Sequence, residues 1–407
     1  MYTLAIRLFQ AIAPLFQWTN PKFGKWVRSR HQWKVDLAEY EKQGKLAWFH
    51  CASVGEFEQA RPVIEALKEQ DTTWQISITF FSSSGYEVRK DYPLADVVTY
   101  LPTDLPEVMS RFIDTLKPDL AVFVKYEFWF NAMEQIKRRG IPMILISAHL
   151  TDKHWTTQWL GIHLGQRLAQ FDRIFAQDED TVNRLNSVYI MNAEAVGDTR
   201  VDRVLANAAE PFHSDFLERF SNENQVMVVG SNWPADDQVI MKVFEARKGL
   251  KLIVAPHELK EEQQKRWRNV FGDEMVLWSE AETADLTSSR VLYLNTIGLL
   301  SKVYRFADVA YVGGGFGKAV HNTLEAVVYR IPVIFGPNNK RFQEIQQLKS
   351  IGAGIEVASS DDFEKALDRA LSDNGYREEV VTSLDRFFNQ QKGATESILT
   401  WIKGQVN

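Results

Sequence analysis

From residue 46 onward, short apolar runs alternate with longer stretches whose apolar residues recur every three or four positions. The runs Leu46–His50, Trp74–Phe80, Asp96–Tyr100, Leu120–Val124, Met143–Ser147 and Arg173–Ala176 predict strands. Between them, Glu58–Glu69, Leu105–Leu116, Asn131–Arg139 and Asp178–Asn186 predict helices. A polar break covers Asn207–Asn224. A second series follows: Gln225–Val229, Leu250–Ala255, Met275–Leu277, Val291–Leu294, Asp308–Val312, Pro332–Phe335 and Gly354–Val357. Strand–helix alternation builds a parallel sheet with helices on both faces. The expectation is an α/β protein of two doubly wound domains facing a cleft, with ligands at the strands' carboxyl ends. The first domain is assigned to residues 36–206 and the second to 207–385, with a C-terminal helix, 386–407, able to pack back on the first domain.

Residues 1–35 form a separate segment. Tyr2 to Trp18 is largely apolar, and the segment carries Arg7, Lys22, Lys25, Arg28, Arg30 and Lys34 with no Asp or Glu. Arg7 and Pro14 interrupt it, and it is too short for a membrane span. No small-residue cleavage site follows, so a signal peptide is not expected. An apolar helix followed by a basic stretch bearing Trp18, Trp26 and Trp33 suits the surface of an anionic bilayer. The alternative is a first helix packed on its own domain.

Composition narrows the classes. A chain of 407 residues is too long for one ordinary core, and 45% hydrophobic with 25% charged residues is usual for a globular protein. The net charge of −6 argues against a general nucleic-acid binder. A single cysteine, Cys51, excludes an internal disulfide and a cysteine metal cluster, which fits a reducing compartment.

Candidate chemistry sits at predicted strand ends. His50-Cys51-Ala52-Ser53-Val54-Gly55-Glu56 follows the first strand. Gly55 permits a tight turn, and Glu56 falls at a helix start, where a carboxylate can take a proton from an acceptor hydroxyl. Ser53-x-x-Glu56 equally fits a capping box. In the second series an apolar run ends at Gly313, Gly314 and Gly315, and His321-Asn322-Thr323-Leu324-Glu325 opens a helix. Glycines there would let a ligand approach the backbone, with an anion at the helix N-terminus and Glu325 accepting from ribose hydroxyls. Asn322 can instead cap that helix. The run is neither the dinucleotide fingerprint nor a P-loop. Gly230-Ser231-Asn232 closes the first strand of this series, where its N–H groups can cradle phosphate or cap a helix. His257 ends the next strand; Glu127 lies among Tyr126, Phe128 and Trp129; Arg200 follows Gly197-Asp198-Thr199. Asp178-Glu179-Asp180 superficially matches a metal-binding D-x-D, but acids at a helix start simply complement its dipole. Metalloprotease and serine-hydrolase motifs are absent from the sequence.

Taken in order, Ser53-Val-Gly-Glu56, Glu127-Phe-Trp-x-Asn131, Gly197-x-x-Arg200, Gly230-Ser231, Gly313-Gly314 and His321-Asn322-x-x-Glu325 with Pro332-Val-x-x-Gly336-Pro337 resemble the 3-deoxy-D-manno-octulosonic acid (Kdo) transferase family. The resemblance covers nearly the whole chain. It implies a GT-B fold, with the first domain for the acceptor and the second for the donor. It implies an inverting transfer from CMP-Kdo to the lipid A precursor, without a catalytic metal or other cofactor, at the cytoplasmic face of the inner membrane. Glu56 matches the catalytic base. Ser231, Asn232, His257, Gly313, Gly314, Gly315, Lys318, His321, Asn322 and Glu325 fall in donor-binding positions. Ser53, Gly55, Glu127 and Arg200 fall on the acceptor side. Three motifs depart from the pattern. The usual E-x-E-x-W-P-N reads Lys125-Tyr-Glu127-Phe-Trp-Phe-Asn131; P-R-H reads Pro256-His257-Glu258; H-G-G-H-N reads Lys318-Ala-Val-His321-Asn322. Lys318, His257 or Arg341 is expected to replace the missing positive charge. The alternatives are another GT-B nucleotide-sugar transferase or epimerase, or a catalytically silent CMP-binding membrane protein.

Overall fold

The computed structural model describes residues 2–16, 18, 21–151, 165–284, 288–317, 319–340 and 342–406. Lys318 and Arg341 lie outside the described residues. The chain divides into two compact units, Met1–Asp202 with Gln391–Asn407, and Arg203–Gln390. These divisions fall within the helices Thr199–Ala209 and Asn374–Gln391, not at the 206/207 and 385/386 bounds read from the sequence.

The first unit is built on a parallel seven-stranded sheet: β1 (Leu46–Cys51), β2 (Gln75–Phe80), β3 (Val97–Tyr100), β4 (Leu120–Val124), β5 (Met143–Ala148), β6 (Arg173–Ala176) and β7 (Ala193–Ala195), in the order β3-β2-β1-β4-β5-β6-β7. β1, β4 and β5 are buried along their whole length, as expected for strands covered on both faces. β7 was not foreseen. Its Ala-Glu-Ala has no apolar run, and only pairing with β6 makes it a strand. The helix Ala394–Gln405 inserts Ile398, Leu399 and Ile402 into the core formed by β1, β2 and the helix Val54–Gln70. Asp202 anchors that helix by accepting the N–H groups of Gly393 (2.6 Å) and Thr395 (2.7 Å).

The second unit repeats the plan with β8 (Gln225–Asn232), β9 (Leu250–Pro256), β10 (Met275–Leu277), β11 (Val291–Tyr293), β12 (Val309–Val312), β13 (Val333–Phe335) and β14 (Gly354–Glu356), ordered β10-β11-β9-β8-β12-β13-β14 and all parallel. The stretch read as a polar break contains the helix Asp215–Ser221. Its charged residues face out while Phe216, Leu217 and Phe220 are buried. Three apolar residues among acids and bases gave too weak a period to be seen.

The N-terminal helix Tyr2–Ile12 is held on the first unit by one side. Tyr2 Oη donates to Asp104 Oδ2 (2.6 Å), Thr3 Oγ1 to Asn131 Oδ1 (3.0 Å), and Arg7 pairs with Glu107 (3.1 Å). The other side presents Leu4, Leu8, Phe9 and Ile12 to solvent, continued by Leu15 (75% exposed), Phe16 and Trp18 (82% exposed). The basic stretch beyond behaves differently. Arg30 is buried, donating to Leu101 O (2.9 Å) and Phe81 O (2.7 Å) and stacked on Trp26. Trp33 is buried in the core, and Lys25 pairs with Glu87 (2.6 Å). Part of the expected surface stretch is therefore structural. No helix among the described residues is long and apolar enough to cross a membrane.

Candidate active site

Each sheet reverses its winding once. β1 pairs with β2 on one side and β4 on the other, and β8 pairs with β9 on one side and β12 on the other. In doubly wound folds ligands bind at the carboxyl ends of strands flanking such a point. Most of the candidate residues follow those four strands.

In the first unit the helix Val54–Gln70 begins directly after β1 with Ser53 as N-cap. Glu56, in the third helical position, accepts the Ser53 N–H on Oε2 at 3.0 Å. The capping role is thus real, but it does not remove the chemistry. Glu56 is only 6% exposed. Burial, and then the charge of Glu127, push its pKa from the ordinary 4.5 up to about 7; the Ser53 and Ala52 N–H groups and the charge of Lys125 pull the other way. A carboxyl anchored by one N–H and titrating near neutrality is suited to take a proton. Gly55 has an ordinary helical position, and an added Cβ would meet only Ser53 Oγ, at 3.8 Å. No tight turn requires it.

Glu127 follows β4 and has a neighbour on each of two sides. The Trp129 indole N–H donates to its Oε2 (2.9 Å), and His50 Nε2 lies 3.5 Å away. His50 is wholly buried, with Nδ1 2.9 Å from Thr79 Oγ1 of β2 and Nε2 facing Glu127 at the end of β4. Lys125, between them in sequence, takes a left-handed backbone (φ 69°). Its charge acts on both Glu56 and Asp198. Arg200 binds Asp198 through Nη2 (2.6 Å) and Nε (3.0 Å to Oδ2). Burial alone would raise Asp198; the Arg200 charge and hydrogen bonds, with Lys125, outweigh it and hold the carboxyl below its usual range. This is a pair with a buried acid, not a surface salt bridge. Asp178 is an N-cap, accepting the Thr181 N–H at 2.7 Å.

In the second unit Gly230-Ser231-Asn232 closes the strand as expected. It is the end of β8, with Asn232 opposite Pro256 of β9 and an irregularity at Ser231 (φ 53°). Asn232 is wholly buried and its amide donates to Asp237 Oδ1 at 2.5 Å, so it holds the next helix, Pro234–Glu245. The glycine run also has a packing cause. A Cβ on Gly313 would lie 2.5 Å from Ser231 O and Asn232 Cα, and one on Gly315 would lie 2.6 Å from Gly336. Gly314 (φ 93°) would meet Ala319 O at 2.1 Å. Neighbouring backbone, rather than open space kept for a ligand, fills those positions.

Asn322 joins Glu325 (Nδ2 to Oε1, 3.0 Å) and accepts the Leu324 N–H (3.2 Å). The helix expected here is a single turn, Leu324–Val327, so its dipole offers little to an anion. His257 and His321 stack at 4.2 Å between ring centroids. Burial lowers the pKa of His257, and burial with the neighbouring His257 lowers that of His321 to about 4. Both shifts favour the uncharged rings, against the expectation that His257 supplies the missing positive charge.

Two residues escaped the sequence reading. Asp236 accepts from Tyr311 Oη (2.8 Å) and from the N–H groups of Gly314 (2.9 Å) and Trp233 (2.8 Å), pinning the glycine loop to the helix start. Trp233 stacks on His257 (4.6 Å) and donates its indole N–H to His321 Nε2 (3.0 Å). The signal available was Trp-Pro-x-Asp after a strand, a helix start with Pro in its first position.

A family model described as 3-deoxy-D-manno-octulosonic-acid transferase (kdotransferase) matches residues 27–203. The 3-deoxy-D-manno-octulosonic acid transferase of Chlamydia trachomatis is 26% identical over 400 residues, 94% of this chain and 91% of that protein. That of Haemophilus influenzae is 25% identical over 404 residues, 94% and 92% of the two chains. Among solved structures, UDP-GlcNAc 2-epimerase from Neisseria meningitidis bound to UDP-GlcNAc superposes with TM-score 0.58 at 16% identity, covering 89% of this chain and 100% of that one. Acinetobacter baumannii MurG gives TM-score 0.56 at 12% identity, with coverage of 89% and 100%. At such identities the structures speak for the fold alone, a GT-B-like fold with two Rossmann-like units. The family match covers the first unit and the relatives span both: this chain carries a 3-deoxy-D-manno-octulosonic acid transferase family match over residues 27–203 and is similar to transferases of that name along nearly its whole length.

Proposed function

We propose that this chain transfers Kdo from CMP-Kdo to the lipid A precursor lipid IVA in lipopolysaccharide biosynthesis, with inversion and without a catalytic metal. The observation that carries the mechanism is Glu56: a nearly buried carboxyl at the first sheet's reversal point, with its pKa pushed up to about 7. Near neutral pH a large fraction of it is ionised, yet it holds a proton readily once one arrives. As a glucosamine hydroxyl attacks the anomeric carbon of Kdo, its proton passes to Glu56. The bond from that carbon to the CMP phosphate breaks on the opposite face, and CMP leaves with the electron pair. Glu127, held by Trp129 and His50, is assigned to the acceptor side with Ser53, Gly55 and Arg200. Ser231, His321, Asn322 and Glu325, at the second sheet's reversal point, are assigned to the donor.

The outward apolar side of the N-terminal helix, continued by Leu15, Phe16 and Trp18, supports attachment to the cytoplasmic face of the inner membrane, where such an acceptor resides. The test is transfer from freshly generated CMP-Kdo to a tetra-acylated lipid A precursor, read by mass spectrometry, with wild type beside Glu56→Gln. Product from wild type and about 10²–10⁴-fold less from the variant is expected for loss of a general base. Equal turnover would reduce Glu56 to its capping role. A folded wild type that makes no product and binds UDP more tightly than CMP would move the reading to a different nucleotide sugar.

A further inference from the structure

The second unit holds a ring arrangement that no motif foretold. The Trp233 and His321 rings are nearly parallel, 11° apart with centroids at 6.4 Å, and joined by the 3.0 Å bond from indole Nε1 to imidazole Nε2. His257 covers both, with centroids at 4.6 Å from Trp233 and 4.2 Å from His321. An indole nitrogen is a donor only. His321 Nε2 must therefore be the bare acceptor, and the ring's proton must sit on Nδ1. The same bond cannot form to an imidazolium, whose Nε2 would turn a second N–H against the indole. The other constraints agree. The His321 backbone N–H donates to Gly313 O (3.1 Å), fixing the residue's place, and its ring Cδ2 edge lies against Gly314, where a Cβ would come within 3.0 Å. Nε2 and Cδ2 are thus both occupied, and Nδ1 is on the ring's other edge, without a partner among the described residues.

We propose that Trp233 is a positioning residue: by holding His321 as the neutral Nδ1–H tautomer, it presents a fixed, uncharged hydrogen-bond donor to a phosphate oxygen of a nucleotide at the carboxyl ends of β8 and β12. The proposal rests on the donor-site reading given above. It gives that site a donor that needs no proton uptake when the nucleotide arrives. The groups acting on His321 are consistent with a neutral ring: His257, stacked on it, disfavours its charge, and Asp236, which favours it, is already engaged by three donors. Glu258 acts on His257 in the opposite sense to its burial.

The experiment is ¹⁵N NMR of the full chain with labelled histidine, with His321 assigned through His321→Gln, beside CMP binding by calorimetry. In wild type at pH 7, Nε2 is expected as an unprotonated, hydrogen-bonded nitrogen and Nδ1 as the protonated one. Trp233→Phe keeps a ring under His257 but removes the N–H. His321 should then revert toward the Nε2–H tautomer favoured by a free histidine side chain, and CMP affinity should fall about three- to tenfold, the worth of one hydrogen bond. An Nε2-protonated His321 in wild type overturns the proposal whether or not the variant folds. So does a Trp233→Phe protein with unchanged tautomer and unchanged CMP affinity. A wild type with the Nδ1–H tautomer that binds no CMP would refute the donor-site reading and, with it, the phosphate role, while upholding the tautomer assignment.

Discussion

Glu56→Gln should make the protein more stable as well as far less active, and the gain in stability should depend on pH in a defined way. Burial and Glu127 raise the Glu56 pKa from 4.5 to about 7 in the folded chain. Below about pH 4.5 the carboxyl is protonated in both folded and unfolded chains, and ionisation favours neither. Between that pH and about 7 the unfolded chain releases its proton first, so stability falls as pH rises. Above about pH 7 the full penalty is present, on the order of 3 kcal/mol for a displacement of this size. Glutamine cannot ionise, and its carbonyl can still accept the Ser53 N–H, though a neutral acceptor returns part of the gain. The expected net advantage of the variant is about 2 kcal/mol at pH 8, shrinking to nothing or reversing at pH 4. The assay is thermal unfolding of both proteins from pH 4 to pH 9, plotting the difference in Tm. A difference that is flat with pH, or a variant less stable than wild type at pH 8, would refute the account of Glu56 as a strained, nearly buried carboxyl.

Glu127→Gln removes the charge that helps raise Glu56, so the acid limb of kcat/KM should move to lower pH while Trp129 keeps an acceptor; a limb that stays or moves up would contradict the coupling. Gly313→Ala places a Cβ 2.5 Å from Ser231 O and Asn232 Cα, and should cost about 1–3 kcal/mol in denaturant unfolding; no loss would mean the strand ends are more loosely packed than described. Replacing Leu15 and Trp18 by serine should leave Tm unchanged but abolish sedimentation with anionic vesicles, since each exposed side chain carries about 2 kcal/mol of transfer free energy. Undiminished sedimentation would remove these residues from any membrane contact.

The comparison of pattern and structure separates along physical lines. Strands buried on both faces must be apolar throughout, so β1, β4, β5, β8, β9 and β12 were legible as runs, and parallel pairing followed from the helices between them. β7 and the helix Asp215–Ser221 were not legible, because pairing with a neighbour makes the one and three buried residues make the other. At the candidate site, Glu56, Glu127, His321 and Glu325 were found because their motifs stand at strand ends. Their environments were not. Whether Glu56 caps a helix or titrates near neutrality depends on how deeply the fold buries it and how near Glu127 comes; the structure shows both at once. Likewise the spacing of glycines cannot say whether a ligand or another backbone fills the missing side chain, and here the nearest atoms are those of β8 and Gly336.

Sequence by itself therefore determined the alternation, the two-unit plan and the family resemblance, because each of these depends on which residues are adjacent in the chain. Tertiary structure alone decided which groups meet across it: Trp233 with His321, His50 with Glu127, Lys125 with Asp198, and Arg30 turned inward from a basic surface. Protonation states and hydrogen-bond roles follow from those meetings. They depend on distance and burial in space, which spacing along a chain does not encode.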